Sequence, residues 1–156
     1  MSPSTAAVSS NNIPFSTLPP VCVKFLEAKA RKGLTFDQIA SVVGKDETWV
    51  AAALYGQAKF STEELRKVSD FLGVSVEEAF SDIGEQWWPN RGNIGPMPPT
   101  DPVLYRLYEG VMVYGYPIKA LIHEKFGDGI ISMIDCKVHV DKKPDPKGDR
   151  VVLTFE

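Results

Sequence analysis

The sequence predicts a mainly α-helical protein, in which a bundle of five short helices is followed by a small α+β unit with a two-stranded hairpin. From Leu18 to about Ile83, apolar residues recur at the three- and four-residue spacing of helices, punctuated by glycines and capping residues. After Lys137 the spacing changes to the two-residue alternation of strands. So many short helices in so few residues are typical of a compact bundle.

The composition narrows the class of protein. A chain of 156 residues with 44% hydrophobic and 24% charged residues fits one ordinary domain or two small ones. The net charge of −3 argues against a general binder of nucleic acid or anionic membranes, but it permits a local basic pocket for a small anion. No stretch approaches the roughly 18 apolar residues of a membrane span. The N-terminus does not resemble a secretory signal, so we expect a cytoplasmic protein.

Four segments are expected along the chain. Residues 1–17 are rich in Ser, Thr, Asn and Pro, which predicts a mobile tail. Residues 18–86 form the helical bundle, residues 87–99 a Pro/Gly linker whose tryptophans pack against a neighbouring surface, and residues 100–156 the second unit. Cys22 and Cys136 fit no metal-binding spacing, so we expect buried free thiols and no metal site.

Start and stop signals define the five helices of the bundle. Pro19 and Pro20 begin the first helix and Gly33 ends it. Thr35 and Gln38 form a capping box at the start of the second helix, which Gly44 ends. The third helix is expected over Glu47 to Leu54. Ser61 or Thr62 caps the fourth helix, and Ser75 begins a short fifth.

The second unit is expected to hold three helices and a hairpin. A helix begins at Thr100-Asp101-Pro102 and breaks near Tyr114, because Gly115 and Pro117 follow. Another helix is predicted from Pro117 to Phe126, and a short one from Asp128 through Ile134. Strands are predicted over Lys137–Lys142 and Arg150–Phe155. A lone hairpin is marginal in water, so this unit should bury its surfaces against other copies of the chain.

A helix-turn-helix pattern spans Thr35 to Leu54 and resembles the helical domains of phage-repressor-like DNA binders. This similarity suggests a DNA-binding regulator as the alternative function. The expected recognition helix, however, begins with Lys45, Asp46 and Glu47, where two carboxylates would repel the phosphate backbone. The residues therefore argue against a nucleic-acid partner.

The run from residue 100 to residue 134 reads TDPVLYRLYEGVMVYGYPIKALIHEKFGDGIISMI. Its segments YRxYE and KALxHEKFGDGI, and the serine after GII, resemble in order and spacing the signature of the cyanase family. The resemblance covers about residues 18–156. That family pairs a repressor-like helical N-terminal domain with a C-terminal dimerisation unit, which is the layout predicted above.

The resemblance implies a lyase without metal or cofactor that joins cyanate to bicarbonate, a co-substrate, and releases ammonia and carbon dioxide. It implies Arg106, Glu109 and Ser132 as catalytic residues, and a homodecamer of five dimers with sites shared between subunits. Two features depart from the family. The N-terminal tail has no clear counterpart and is expected to carry nothing catalytic. The chain ends at Glu156, whereas family members commonly continue into a short tail that helps to close the site.

The chemistry suits these residues. Arg106 and Glu109 share one helix face, a spacing that alone is typical of a solvated ion pair, but their apolar neighbours favour a buried one. Two anions about 4 Å apart repel by roughly 4 kcal/mol at an effective dielectric near 20, which an arginine can offset. Glu109 would orient Arg106 or deliver a proton to the cyanate nitrogen.

Ser132 is expected on the short third helix, where its hydroxyl would donate a hydrogen bond to substrate. Ile130 and Ile131 would form apolar walls that exclude water. A Ser–His nucleophile pair is the rival interpretation, but neither His123 nor His139 has an obvious orienting carboxylate at a triad spacing.

Overall fold

The computed structural model describes residues 17–92 and 94–156, so the predicted tail at 1–17 lies outside the described residues except for Thr17. The protein is mainly helical, as predicted. One compact unit contains the first five helices together with the hairpin, and residues 95–136 form a second unit. The elements in chain order are α1 (Pro20–Arg31), α2 (Phe36–Val43), α3 (Glu47–Leu54), α4 (Thr62–Leu72), α5 (Val76–Ile83), α6 (Pro102–Phe126), β1 (Val138–Lys143) and β2 (Arg150–Phe155).

The helix boundaries in the bundle follow local capping chemistry. The Thr35 side chain accepts the Gln38 amide at 3.1 Å while the Gln38 side chain accepts the Thr35 amide at 2.9 Å, which confirms the capping box. Ser61 makes the same reciprocal arrangement with Glu64 and caps α4. Gly44 ends α2 with a φ of 77°, a left-handed conformation that glycine adopts without steric cost.

The bundle core is built from the apolar face of each of the five helices. Because the predicted faces turn inward together, one continuous cluster forms with no charged member among its buried residues. Its largest fully buried side chains are Phe25, Ile39, Leu54, Leu65 and Leu72. Cys22 is buried in this core and unbridged, and its burial raises the pKa of the thiol to about 12, with the charge of Asp82 adding to the effect. Cys136 is only half-buried.

Between α5 and α6 the described residues contain no helix or strand, in agreement with the predicted linker. Trp87 packs against the bundle core, as predicted. Trp88 is mostly exposed, and the Lys59 ammonium lies 4.0 Å from the centre of its ring.

The predicted break of the helix near Tyr114 is wrong, because α6 runs without interruption from Pro102 to Phe126. Proline's fixed φ is itself helical, so Pro117 costs the helix one backbone hydrogen bond and a local steric strain without ending it. The ends of α6 lie elsewhere. Asp101 Oδ1 accepts the amides of Val103 and Leu104 at 2.8 and 3.1 Å, and Gly127, with a φ of 82°, follows the last turn.

The short helix predicted from Asp128 through Ile134 is also absent, because these residues form bends and irregular structure. The Ser132 hydroxyl accepts the amides of Ile134 and Asp135 at 3.2 and 3.1 Å. Such side-chain bonds to nearby amides offer the backbone an alternative to the helix. Ser132 therefore lies in a loop, not on a helix.

The hairpin is antiparallel, with Val138 opposite Phe155 and Lys143 opposite Arg150. Both strands lie within one residue of their predicted positions. The strand β1 packs on α3 in the first unit, although residues 100–156 were predicted as one domain. The division of the chain into 18–86, 87–99 and 100–156 stays a prediction.

We expect Ser69→Ala to stabilise the protein. Ser69 on α4 is fully buried, and its hydroxyl makes no hydrogen bond to any described residue. Removing an unpaired buried hydroxyl and gaining helix propensity should raise the free energy of unfolding by about 1 kcal/mol, measured by urea denaturation followed at the helical circular dichroism band. Ser41→Ala on the exposed face of α2 is the matched control, in which the same gain in propensity is set against the loss of the exposed hydrogen bond from the Ser41 hydroxyl to the Asp37 carbonyl oxygen. A lower midpoint for Ser69→Ala than for the unchanged protein would contradict the assignment.

Candidate active site

Arg106 and Glu109 lie one helical turn apart on the N-terminal half of α6. The Arg106 guanidinium donates to Glu109 Oε2 at 2.5 Å, so the predicted pairing on one helix face is present. The expected burial is not found within one chain, because the two side chains are 76% and 48% exposed. In this state the pair is a solvated ion pair, which contributes little to stability.

The helix that carries this pair is apolar around most of its circumference. All of α6 is described, and none of its residues is buried. The exposed large apolar residues of α6 are Val103, Leu104, Tyr105, Leu107, Val111, Met112, Val113, Tyr114, Tyr116, Ile118, Leu121 and Phe126. A Cβ added at Gly110, beside Glu109, would meet nothing within 4 Å. Exposed apolar patches of this size mark interaction surfaces in soluble proteins.

The Ser132 hydroxyl is held by its own loop. Its oxygen accepts two backbone amides, from Ile134 and Asp135, and a hydroxyl oxygen has two acceptor sites. The hydroxyl proton is therefore the hydrogen-bonding group that remains available to a ligand. This geometry suits a donor to an anion and does not suit a nucleophile, because the two amides occupy the oxygen lone pairs that would have to attack.

Ile130 and Ile131 precede Ser132 in the same loop. Ile130 is fully exposed and Ile131 largely so, which means that neither forms an apolar wall within one chain. Among the described residues, no hydrogen bond or ion pair joins Ser132 to Arg106 or Glu109. The structure thus places the predicted catalytic residues in one unit but does not bring Ser132 into contact with the pair.

Neither of the two best-formed cavities on the described surface is lined by Arg106, Glu109 or Ser132. The larger, of about 480 Å³, belongs to the first unit and lies beside Tyr55, Asp82 and Trp87. The smaller, of about 230 Å³, runs along α6 beside Val111, Met112 and Tyr116. The smaller cavity is an apolar flank of α6 that is open on one side, so its size does not identify a catalytic site.

Sequence reasoning missed one polar pair. His139 Nδ1 on β1 lies 2.8 Å from Asp46 Oδ2 on the helical bundle, so His139 has a carboxylate partner that its sequence spacing does not reveal. No motif or local spacing connects the two positions, and only the fold brings them together.

The α3 helix lacks the surface of a DNA reader. Lys45, just before it, is 3.5 Å from Glu64 and lies over the Trp49 ring, and Asp46 and Glu47 begin the helix. Because β1 packs on α3 as well, nothing in the bundle supports the DNA-binding alternative.

Neither a metal-binding cluster nor a membrane-spanning helix is present in residues 17–92 and 94–156. They contain no cluster of three or more His, Cys, Asp or Glu side chains with metal-ligand geometry. No helix there has both the length and the apolarity that a membrane crossing requires.

Comparison with known proteins extends over nearly the whole chain. Residues 20–81 match a family model for the N-terminal domain of cyanate hydratase, and residues 96–156 match one for the C-terminal domain of cyanate lyase. A cyanate hydratase of Laccaria bicolor is 60% identical over 98% of this chain and 92% of its own length. One from Coprinopsis cinerea is 62% identical over 88% of this chain and 90% of its own.

A solved structure gives the same result. The crystal structure of cyanase from T. urticae superposes with a TM-score of 0.74 at 37% sequence identity, covering 85% of this chain and 91% of that one. Sequence and fold agree from the first helix to the hairpin. The chain belongs to the cyanate hydratase family of lyases.

Proposed function

We propose that the protein decomposes cyanate with bicarbonate, giving carbamate and carbon dioxide, after which carbamate breaks down to ammonia and a second carbon dioxide. The observation that carries this proposal is the similarity to cyanate hydratases over almost the full chain, at 60% identity. It is supported by the placement of Arg106, Glu109 and Ser132 on α6 and the loop that follows it.

The electrostatic problem of this reaction is the meeting of two anions. Arg106 is the group on α6 that suits it, because a guanidinium is always charged and its planar fork matches carboxylate-like oxygens. Its partner Glu109, 2.5 Å away, would cancel part of that charge while fixing the direction of the guanidinium. The contact favours an orienting role for Glu109, with proton delivery to the cyanate nitrogen as the second possibility.

Ser132 would complete the site as a hydrogen-bond donor. Because its oxygen already accepts two backbone amides, the hydroxyl proton is left to donate to an acceptor outside the loop. An oxygen of bicarbonate or an atom of cyanate fits that requirement, whereas a ligand group that can only donate does not.

The reaction balances without an external oxidant or reductant. A bicarbonate oxygen attacks the cyanate carbon, and the bicarbonate proton passes to the nitrogen, which gives a carboxylic–carbamic dianion. The bond between that oxygen and the former bicarbonate carbon then breaks, releasing carbon dioxide and leaving carbamate once a proton is taken up. A further proton converts carbamate into ammonia and carbon dioxide. One bicarbonate oxygen is thereby transferred to the cyanate carbon.

The assembly and the location of the protein belong to the same proposal. The uncovered apolar residues of α6 and the exposed Arg106 support an oligomer in which other copies pack on this helix and contribute to the site. The decamer of five dimers, a cytoplasmic location and the absence of a required metal or cofactor are carried over from the family resemblance as proposals.

The transfer of oxygen gives the most specific test of the function. With ¹³C-cyanate and ¹⁸O-bicarbonate, the proposed path yields ¹³C-carbon dioxide that carries one ¹⁸O atom, detected by membrane-inlet mass spectrometry before the label exchanges with water. Attack by water instead would give ¹³C-carbon dioxide without ¹⁸O. No ammonia from cyanate plus bicarbonate would defeat the proposal altogether. Running the assay after exhaustive chelation tests the metal-free part, which activity lost with chelator and restored by zinc would contradict.

We expect Arg106→Lys to lower kcat/KM for cyanate about a hundredfold although it keeps the charge, because an ammonium cannot make the forked contact that aligns a planar anion. Steady-state ammonia release at saturating bicarbonate measures the effect. Arg91→Lys, the same exchange at an exposed position of the linker, is the matched control and should leave kcat/KM unchanged. Near-normal turnover by Arg106→Lys would mean that the guanidinium has no role in catalysis.

A further inference from the structure

The hairpin packs on the bundle through one strand and one helix. The strand β1 contacts α3, the helix at which the repressor-like motif would read DNA. Asp46 is the N-cap of α3 and His139 is the second residue of β1. Both side chains are about one-third exposed, at 34% for Asp46 and 36% for His139, so their contact lies at the margin of the packed surface.

Asp46 has a separate partner for each carboxylate oxygen. Oδ1 accepts the Thr48 amide at 2.9 Å and thereby caps α3, while Oδ2 lies 2.8 Å from His139 Nδ1. One residue therefore fixes the start of the helix and binds the strand. The neighbouring cation does not compete for Asp46, because the Lys45 ammonium is directed to Glu64 and the Trp49 ring.

The His139–Asp46 contact adds to the packing of β1 on α3 in fixing the position of the hairpin. A two-stranded sheet is marginally stable alone, and here both strands have a free outer edge among the described residues. Its ion pairs, Lys142 with Asp149 and Arg150 with Asp145, lie at the turn and join parts of the hairpin to each other. The His139–Asp46 contact joins the hairpin to the bundle.

We propose that His139 is a positioning residue, which clasps the hairpin to the capped end of α3 and so sets where the chain leaves the loop that carries Ser132. The second half of this statement rests on the proposed function. In this account the surface that a repressor would turn to DNA serves as the dock for the chain's own C-terminal hairpin.

The variants separate the clasp from the cap. His139→Ala removes the imidazole. Asp46→Ser removes the clasp but keeps a good N-cap, since serine accepts the same backbone amide but is too short to reach His139. His139→Asn keeps an N–H donor at the position of imidazole Nδ1 and should rescue the contact. Each variant is made in the full chain, with thermal unfolding of the helical signal as the check that the bundle is intact.

Hydrogen exchange of the 137–156 peptide reports docking. We expect His139→Ala and Asp46→Ser each to speed exchange there about fivefold, the double variant to be no faster than either, and His139→Asn to stay within about twofold of the unchanged protein. Unchanged exchange in both single variants, or additive effects in the double variant, would overturn the clasp.

Turnover tests the link to the site. If the clasp positions the Ser132 loop, kcat for cyanate falls about threefold to tenfold in both single variants and recovers in His139→Asn. Faster exchange with unchanged kcat would overturn the positioning role. A wild-type protein that does not turn over cyanate would contradict the proposed function, whereas the exchange measurements would still decide whether the clasp exists.

Discussion

No residue of the apolar helix α6 is buried by the described part of the chain, and the site residues that this helix carries depend on that constraint. Twenty-five residues long and capped at its start by Asp101, it has no buried position. Exposing so many large apolar side chains to water costs free energy in proportion to their area. A helix of this kind is stable in a soluble protein when another surface covers it.

The same constraint determines what Arg106 can do. At a surface in contact with water the attraction between two unit charges 4 Å apart is about 1 kcal/mol, and it rises to about 4 kcal/mol where the effective dielectric falls to 20. In a single chain Arg106 is mostly exposed and already paired with Glu109, so it would hold two small anions weakly. Covering α6 with other copies would lower the local dielectric and bring further arginines to the site. The proposed chemistry therefore requires the proposed assembly.

Local signals in the sequence predicted the bundle well. A helix cap depends on neighbouring residues alone, so it can be predicted from short spacings in the sequence. Examples are the caps at Thr35 and Ser61 and the left-handed Gly44. The same local rules failed in the second unit. Gly115 and Pro117 predict a break near Tyr114, because each destabilises a helix locally, but α6 continues through both residues.

The candidate site was predictable in part. The pairing of Arg106 with Glu109 follows from helical spacing and is present in the structure, whereas their catalytic role is what the family resemblance implies. The loop geometry of Ser132 was not predictable, because it depends on a side-chain bond competing with a helix. The contact of His139 with Asp46 was hidden for a different reason, since residues so distant in sequence meet only through the tertiary fold.

Oxidative footprinting of Met112 tests most directly whether α6 is covered. In the single chain this side chain on α6 is 64% exposed, and Met97 in the linker, at 76%, is a reference of the same chemistry. If other copies cover the helix, brief peroxide treatment of the native protein, followed by peptide mass spectrometry, should oxidise Met112 at least about tenfold more slowly than Met97. The protection should disappear when dilution or mild denaturant separates the subunits before the bundle unfolds. Equal oxidation of the two methionines in the active protein would contradict the account.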